Sequence, residues 1–549
     1  MTLLPRILAD EDEEVEAPEA DDEPAVAPRG RPHWAWTPAI ALLAAVPRLL
    51  YLFVFSDPEN PGVRRYGDVW HHWQIAYLTK EIGLTAPDGP RLWDLKGLDY
   101  FWGILHPLLM VAVFDVTGSI DIVLDRLVSL AFGVVVVVLV FHLCRRHWGT
   151  QVALASALIA SLLPTSVMND ASGMLEPLGV ALCLLGLAAW PARGFWSGLA
   201  LGLATMARAE AWLFGLGMVV AAFFKREGLM QRIPLVAGFA AVMLLYMKLL
   251  ADKTGDPIYP LWWNFFANAV GKWEFAPVSS GQASVRPVLG GLLVLAVACL
   301  AWSLWRRPPS YMLLTFGFGY WVFVAGMLGF TSYLASWVWW MPITRVFAFP
   351  YVFAGVLLVV TVLWLAPRRF GPRVLPLSWA AVGVAVLVAQ LAWIPIAQVF
   401  GPSEAEWLQV KAESVQLGGW YNGGPAQGHA LAVPNDRADI TYGLARFGAV
   451  EGKHLVSEMY DPFAYLPAGY GYAEHRDVVD TQVRCWLTEQ DVRMIAIPNT
   501  DSALAAVKQA HPDWFAPVGF MEEAKWDVEA VSVPRPAAAE CEAARSATR

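Results

Sequence analysis

Basic charge, paired cysteine spacings and glycine-rich phosphate loops are what this sequence has least of, and each shortage closes a class of function. Only 16% of the residues are charged, with 39 Lys and Arg against 48 Asp and Glu, so there is no basic footprint for nucleic acid. The five cysteines have no CxxC spacing. Cys144, Cys183 and Cys299 lie in or beside apolar runs, where small apolar packing accounts for them. Cys485 and Cys541 both follow residue 400, and a disulfide between those two is possible. There is no internal repeat or coiled-coil pattern. The start lacks a secretory signal: MTLLPRILADEDEEVEAPEADDEPAVAPRGR is acidic, proline-rich and poor in aromatics, a composition unable to bury enough apolar surface to fold. Residues 1 to 34 are therefore expected to be a disordered cytoplasmic tail. Ten of the acids fall within residues 10 to 23, which accounts for most of the formal charge of −9.

What is abundant is apolar. The chain has 549 residues, 57% of them hydrophobic, too many for a soluble protein of this size. Runs able to cross about 30 Å of hydrocarbon occur at 37–55, 124–143, 151–167, 175–190, 233–250, 287–305, 311–330, 346–365 and 374–399. A further apolar stretch at 195–224 is broken by MARAEAW and reads as two short helices meeting at Arg208 and Glu210. The expected fold is thus a polytopic α-helical membrane protein of about eleven transmembrane helices spanning 35–400, with a large first loop at 56–123. After residue 400 the hydropathy changes. HALAVP (429–434) and VRMIAIP (492–498) read as buried strands and ALAAVKQAH (503–511) as a helix, which predicts a small α/β domain over 401–549.

Arg29, Arg31, Arg145, Arg146, Arg193, Lys225, Arg226, Arg232, Arg306, Arg307, Arg368, Arg369 and Arg373 all collect on one side of this pattern, which the charge rule makes cytoplasmic. Residues 56–123, the turn MNDASGMLEP, the tip at Arg208, residues 251–286 and 331–345, and everything after 400 then face outward. These outer segments are long and rich in Trp, Tyr, Pro, Asp and His. Trp and Tyr also favour any membrane interface, so each aromatic has a bland reading beside a functional one.

The candidate chemistry lies on that outer face. RRYGDVWHHWQIAY at 64–77 crowds Asp68 with Tyr66, Trp70, His71, His72 and Trp73. Asp68 could accept a proton from an incoming hydroxyl, or hold a divalent ion such as Mg²⁺ or Mn²⁺ with Asp170 or a histidine; the alternative is a solvated loop carboxylate. Asn169, Asp170 and Glu176 share the next outward turn, and Pro177 suits a first helical turn, so capping could explain Glu176. Arg208 sits among apolar residues, where a charge needs a partner, either Glu210 or a bound phosphate. Arg345 follows WVWWMPIT and could snorkel or hold a lipid phosphate.

Taken together, YGDVWHHWQIAYLTKEIG, LDRLVSLAFGVVVVVLVFHLCRRHWG, MNDASGMLEPLGVALCLLG, FWSGLALGLATMARAEAW, TGDPIYP and MPITRVFAFP resemble the GT-C superfamily of integral membrane glycosyltransferases over about residues 35 to 360. The first-loop stretch is similar to that of oligosaccharyltransferase catalytic subunits and of protein and lipid mannosyltransferases. The resemblance implies a catalytic acid at Asp68, an acceptor and sugar pocket around Tyr66, Trp70, His71, His72 and Glu176, and donor-phosphate contacts at Arg208 and Arg345. It implies a polyprenyl-phosphate-linked sugar donor, a lipid, glycan or protein acceptor, and transfer with inversion. Two departures matter. The metal-binding DxD pair of oligosaccharyltransferases is ND here, and their WWDYG motif is absent, the nearest sequence being GGWYNGG at 418–424. A lipid or glycan transporter would also be polytopic, but its charges gather near the midplane, and a non-catalytic receptor would not need Asp68 or Arg208.

Overall fold

The computed structural model describes residues 33–62, 67–82, 103–224, 229–254, 256–261, 286–308, 310–333, 348–400, 403–434, 437–457, 476–498 and 503–547. Among the described residues fourteen helices come first: α1 (Thr37–Leu50), which runs on through a π-type turn to Phe55, α2 (Gly67–Ile82), α3 (Leu105–Thr117), α4 (Ile122–Trp148), α5 (Thr150–Leu162), α6 (Pro164–Asp170) and α7 (Glu176–Ala189). There follow α8 (Gly194–Ala207), α9 (Ala211–Ala222), α10 (Leu229–Thr254), α11 (Arg286–Arg306), α12 (Tyr311–Tyr333), α13 (Ala348–Val359), prolonged by a π-type turn to Phe370, and α14 (Leu375–Phe400).

Hydrocarbon offers no hydrogen bonds, so each apolar run closes its own backbone ladder as helix. Seven described helices are long and apolar enough to cross a membrane, and eight if α5 and α6, bent by 62° at Leu163, form one broken span. The bend has a local cause: Leu163 is extended (ψ 116°) and Pro164 opens the next helix, because proline disfavours the helical conformation in the residue before it. The apolar runs at 175–190 and 195–224 become α7, α8 and α9, of 12 to 14 residues, shorter than the roughly 20 that a straight crossing takes. Arg208 and Glu210 do lie at the break between α8 and α9.

Helices α8 and α10 approach through small residues, as membrane helices do when lipid competes for every apolar face. A Cβ on Gly198 would stand 2.0 Å from the Leu235 carbonyl oxygen, and one on Gly238 would stand 2.2 Å from that of Phe195. The described part of the first loop is largely helical, in α2 and α3. Neither shows the one-sided pattern of a surface helix, because α2 buries Val69, Trp70, Trp73, Ala76, Tyr77 and Leu78 against neighbours on more than one side.

The chain after residue 402 forms the expected α/β unit: α15 (Glu404–Asn422), β1 (Ala430–Val433), α16 (Ala438–Arg446), β2 (Leu455–Ser457), α17 (Arg476–Glu489), β3 (Val492–Pro498), α18 (Ala503–Ala510), β4 (Phe515–Met521), β5 (Trp526–Val531) and α19 (Ala538–Ala547). The sheet order is β2-β1-β3-β5-β4, with β1 parallel to β2 and β3, and β5 antiparallel to both β3 and β4. Ser403 caps α15, its hydroxyl accepting from the Glu406 amide at 3.4 Å, as SEAE before an apolar position leads one to expect. Cys485 and Cys541 are disulfide-bonded and tie α17 to α19.

This unit is docked on the first loop. Asn60 donates to the Ser403 carbonyl at 3.2 Å, Gln74 to the Thr441 hydroxyl at 2.9 Å, and Arg446 pairs with Asp121 at 3.2 Å. At the other end of α4, Arg146 donates to the Trp190 carbonyl at 3.3 Å, so the basic turns and the first loop mark opposite ends of the helical bundle.

Because the neighbour of Gly198 is backbone, it cannot yield to a side chain. Gly198→Leu is expected to separate α8 from α10 at a cost of about 1–3 kcal/mol or more, read as a lowered thermal midpoint of purified protein in detergent. A midpoint unchanged from wild type would show that the two helices do not need this contact.

Candidate active site at the first-loop end of the bundle

Three buried charged networks converge on the turn between α6 and α7. In α1 the buried positions are Ile40, Ala44 and Arg48, a four-residue stripe that carries the one cation inward. Arg48 Nε and Nη2 both donate to Asp170 Oδ2, at 2.9 and 2.7 Å. Nη1 reaches the carbonyls of Ala44 (2.8 Å) and Ser161 (3.4 Å), and Nη2 that of Ala160 (3.4 Å). All five N–H groups of the guanidinium are thereby used, which is how a charge at this depth is tolerated. The carboxylate needs room as well: a Cβ on Gly133 of α4 would stand 2.3 Å from Asp170 Oδ2.

Arg126 supplies the second tie. Its Nε donates to the Ala171 carbonyl at 2.7 Å, Nη1 to those of Asp57 (2.6 Å) and Pro58 (2.8 Å), and Nη2 to the Ser56 hydroxyl at 3.0 Å. Ser129, three residues on, donates to the Met174 carbonyl at 2.6 Å. The turn 170–174 is thus held from α1 and from two positions of α4. The third network is Arg208 with two acids, Glu210 Oε1 at 2.8 Å from Nε and Glu176 Oε1 at 3.4 Å from Nη2.

A small cavity of about 30 Å³ lies between these groups, lined among others by Arg48, Ser166, Asn169, Asp170, Glu176 and Tyr320. A second, of about 10 Å³, is lined by Glu176 and Tyr320 together with Arg208 and Glu210. Asn169 Oδ1 and Ser166 Oγ, both on the first cavity's wall, are buried with no hydrogen-bond partner among the described residues. Buried polar atoms left this way call for water or a polar ligand.

Asp68 stands in the first turn of α2, where a carboxylate also suits the helix dipole, and it remains partly exposed. The next residue, Val69, touches the turn below α2: a Cβ on Gly173 would lie 3.0 Å from Val69 Cγ1, and Gly173 has a left-handed φ of 88°, which favours glycine. Asp68 directly precedes this contact residue in the chain.

The other expected site residues are distributed unevenly. Tyr66 and Arg345 lie outside the described residues. His71 is half-buried. His72 is fully buried, its ring 6.0 Å from that of His106, which in turn pairs through Nε2 with Asp125 Oδ1 at 3.0 Å. Trp70 is 1% exposed and stacked on Trp407 of α15, so it is a core contact rather than a pocket wall. Asp170 is placed as the counter-ion of Arg48. Its Oδ2 is occupied twice over, and no three His, Cys, Asp or Glu among the described residues come together to hold a metal; the donor set at Asp170 does not fit a divalent ion. Arg208 is held by Glu210, as the sequence allowed, and by Glu176, so a phosphate would have to approach its remaining N–H groups past two carboxylates. Arg48, Arg126, His106, Asp125 and Tyr320 were not singled out by sequence. The legible signal was a lone arginine at position 48 and the pair Asp125-Arg126 inside or at the rim of long apolar runs.

The chain is a polytopic integral membrane protein with the fold of the GT-C glycosyltransferases. Residues 103–250 match the family described as dolichyl-phosphate-mannose-protein mannosyltransferase. Among solved structures, the Archaeoglobus fulgidus oligosaccharyltransferase tethered to an acceptor peptide containing the NVT sequon superimposes with a TM-score of 0.50 at 13% identity, covering 91% of this chain and 75% of that one. ArnT from Cupriavidus metallidurans in the apo state gives 0.47 at 15% identity, covering 90% and 98%, and the same protein bound to undecaprenyl phosphate gives 0.44 at 13%, covering 91% and 98%. No curated protein matches the chain.

Removing one member of a buried ion pair costs about 3–5 kcal/mol, because the other is left uncompensated. Arg48→Met should therefore strongly lower the thermal midpoint, and Arg48→Met with Asp170→Leu should recover most of the loss. A single variant as stable as wild type would mean that the pair does not hold the turn.

Proposed function

We propose that this protein transfers a sugar from a polyprenyl-phosphate donor to a hydroxyl of a lipid, glycan or protein acceptor at the outer face of the membrane, with inversion at the anomeric carbon. The observation that carries the reading is the contact of Val69, the neighbour in sequence of the partly exposed Asp68, with Gly173, in a turn whose flanking residues line a cavity with hydrogen-bonding atoms at Asn169 and Ser166 that have no partner among the described residues. Such atoms suit the hydroxyls of a polar ligand, and a carboxylate on the helix that touches this turn suits proton removal. The match to a mannosyltransferase family over residues 103–250 supports the same class.

In the reaction, Asp68 accepts the proton of the acceptor hydroxyl. The acceptor oxygen bonds to the anomeric carbon as the carbon–oxygen bond to phosphate breaks, and polyprenyl phosphate leaves with the electron pair. Attack opposite the leaving group inverts the centre. Arg345 and the remaining N–H groups of Arg208 hold the phosphate, where each charge-assisted hydrogen bond contributes about 1.5–3 kcal/mol. Glu176 and Glu210 orient Arg208 and offer acceptors to sugar hydroxyls. The arginine distribution puts the N-terminus in the cytoplasm, and the first loop and C-terminal unit outside.

Asp68→Asn keeps shape and removes the charge, so folding should be little changed while transfer falls by about 10²- to 10⁴-fold. Transfer of labelled sugar from a polyprenyl-phosphate donor by purified wild type and variant decides this; near-wild-type turnover would remove Asp68 from the chemistry. Separately, a cysteine introduced near residue 420 is expected to react with an impermeant thiol reagent in intact cells or spheroplasts, and protection there would reverse the orientation.

A further inference from the structure

We propose that Trp70 is a positioning residue for Asp68, and that through it the C-terminal α/β unit sets the geometry of the site. The proposal rests on the reading of Asp68 as the base.

Helix α2 starts at Gly67, so Asp68 lies at its very beginning, where a helix is least restrained by its own ladder. What fixes that end is side-chain packing. Trp70 is 1% exposed, and its indole N–H donates to the Gly62 carbonyl at 3.0 Å. Its ring stacks on Trp407 at 5.3 Å with an interplanar angle of 20°, and stands 5.1 Å from the Tyr442 ring. Trp407 belongs to α15 and Tyr442 to α16, so both walls of the slot come from the C-terminal unit. One turn on, Gln74 donates to the Thr441 hydroxyl at 2.9 Å, which repeats the tie to α16 on the same face of α2.

Helical geometry turns this anchor into a pointing device. Two residues along an α-helix rotate by about 200° and rise about 3 Å, so Asp68 projects from the side of α2 opposite to Trp70. Holding Trp70 in its slot keeps Asp68 turned away from Trp407 and Tyr442, with Val69, which touches Gly173, about 100° from each of the two around the helix. A helix end released from the slot would rotate or lift, and a displacement of about 1 Å at a reacting group costs about a hundredfold in rate. The C-terminal unit is therefore part of the machinery of turnover even though it places no side chain near the cavity among the described residues.

The test is a double-mutant cycle in full-length protein, measuring transfer of labelled sugar from a polyprenyl-phosphate donor per folded, monodisperse molecule. Trp70→Ala should lower kcat by about tenfold to a hundredfold with the donor KM little changed, and Trp70→Phe, which keeps a stacking ring, should restore most of the rate. In the Asp68→Asn background Trp70→Ala should cause no further loss. Trp407→Ala, on the other wall of the slot, should reproduce the pattern and carries the test if Trp70→Ala does not fold. Equal fractional losses with and without the Asp68 carboxylate, or an unchanged kcat per folded molecule in Trp70→Ala and Trp407→Ala, would overturn the positioning role. Near-wild-type transfer by Asp68→Asn alone would instead overturn the base reading on which it stands.

Discussion

The buried pair of Arg48 and Asp170 is the constraint around which the site is arranged. A guanidinium inside an apolar helix is costly, and it persists here because every N–H finds an oxygen. Those oxygens come from α1, α5 and α6, so satisfying one charge also fixes the bend at Leu163 and the height at which α6 ends. Arg126 and Ser129 then take the carbonyls of Ala171 and Met174. The turn between α6 and α7 is thereby held in place; the residues that flank it, Asn169, Asp170 and Glu176, line the cavity, and Gly173 within it meets Val69 of α2.

Charges elsewhere in the site follow the same logic of mutual obligation. Glu176 and Glu210 share a single cation, Arg208, and Gly179 leaves just enough room for its stem, with a would-be Cβ 3.2 Å from Arg208 Cγ. Farther from the bundle, the phenol of Tyr77 on α2 is pushed up to about 12, first by burial and then by the nearby Glu81, so it stays protonated as it packs against Trp73 at the edge of the docked unit.

Much of the architecture was legible because hydropathy reports it directly. The apolar runs became helices, the break at Arg208 and Glu210 is a break, and HALAVP, VRMIAIP and ALAAVKQAH are β1, β3 and α18. The first loop was less legible. Its helices α2 and α3 bury residues on several sides, so neither alternation nor a 3.6-residue stripe marks them. The length of a run likewise did not say that α7, α8 and α9 would be short of a full crossing. In the site, the types Asp68, Glu176, Arg208 and Asp170 stood out, but their partners did not: nothing local joins Arg48 to a carboxylate 122 residues away, or Trp70 to Trp407.

The sequence by itself determined that this is a membrane-spanning chain with a polar, aromatic end and a mixed α/β unit after residue 402, since apolar length and charge distribution act through solvent alone. Only tertiary structure decided which charge neutralises which, that Trp70 stacks in a slot formed by Trp407 and Tyr442, and that Val69, next to Asp68 in the chain, meets the turn between α6 and α7. The physical reason is that desolvation makes each buried charge or ring depend on one specific neighbour, and those neighbours are chosen by packing across hundreds of residues of chain.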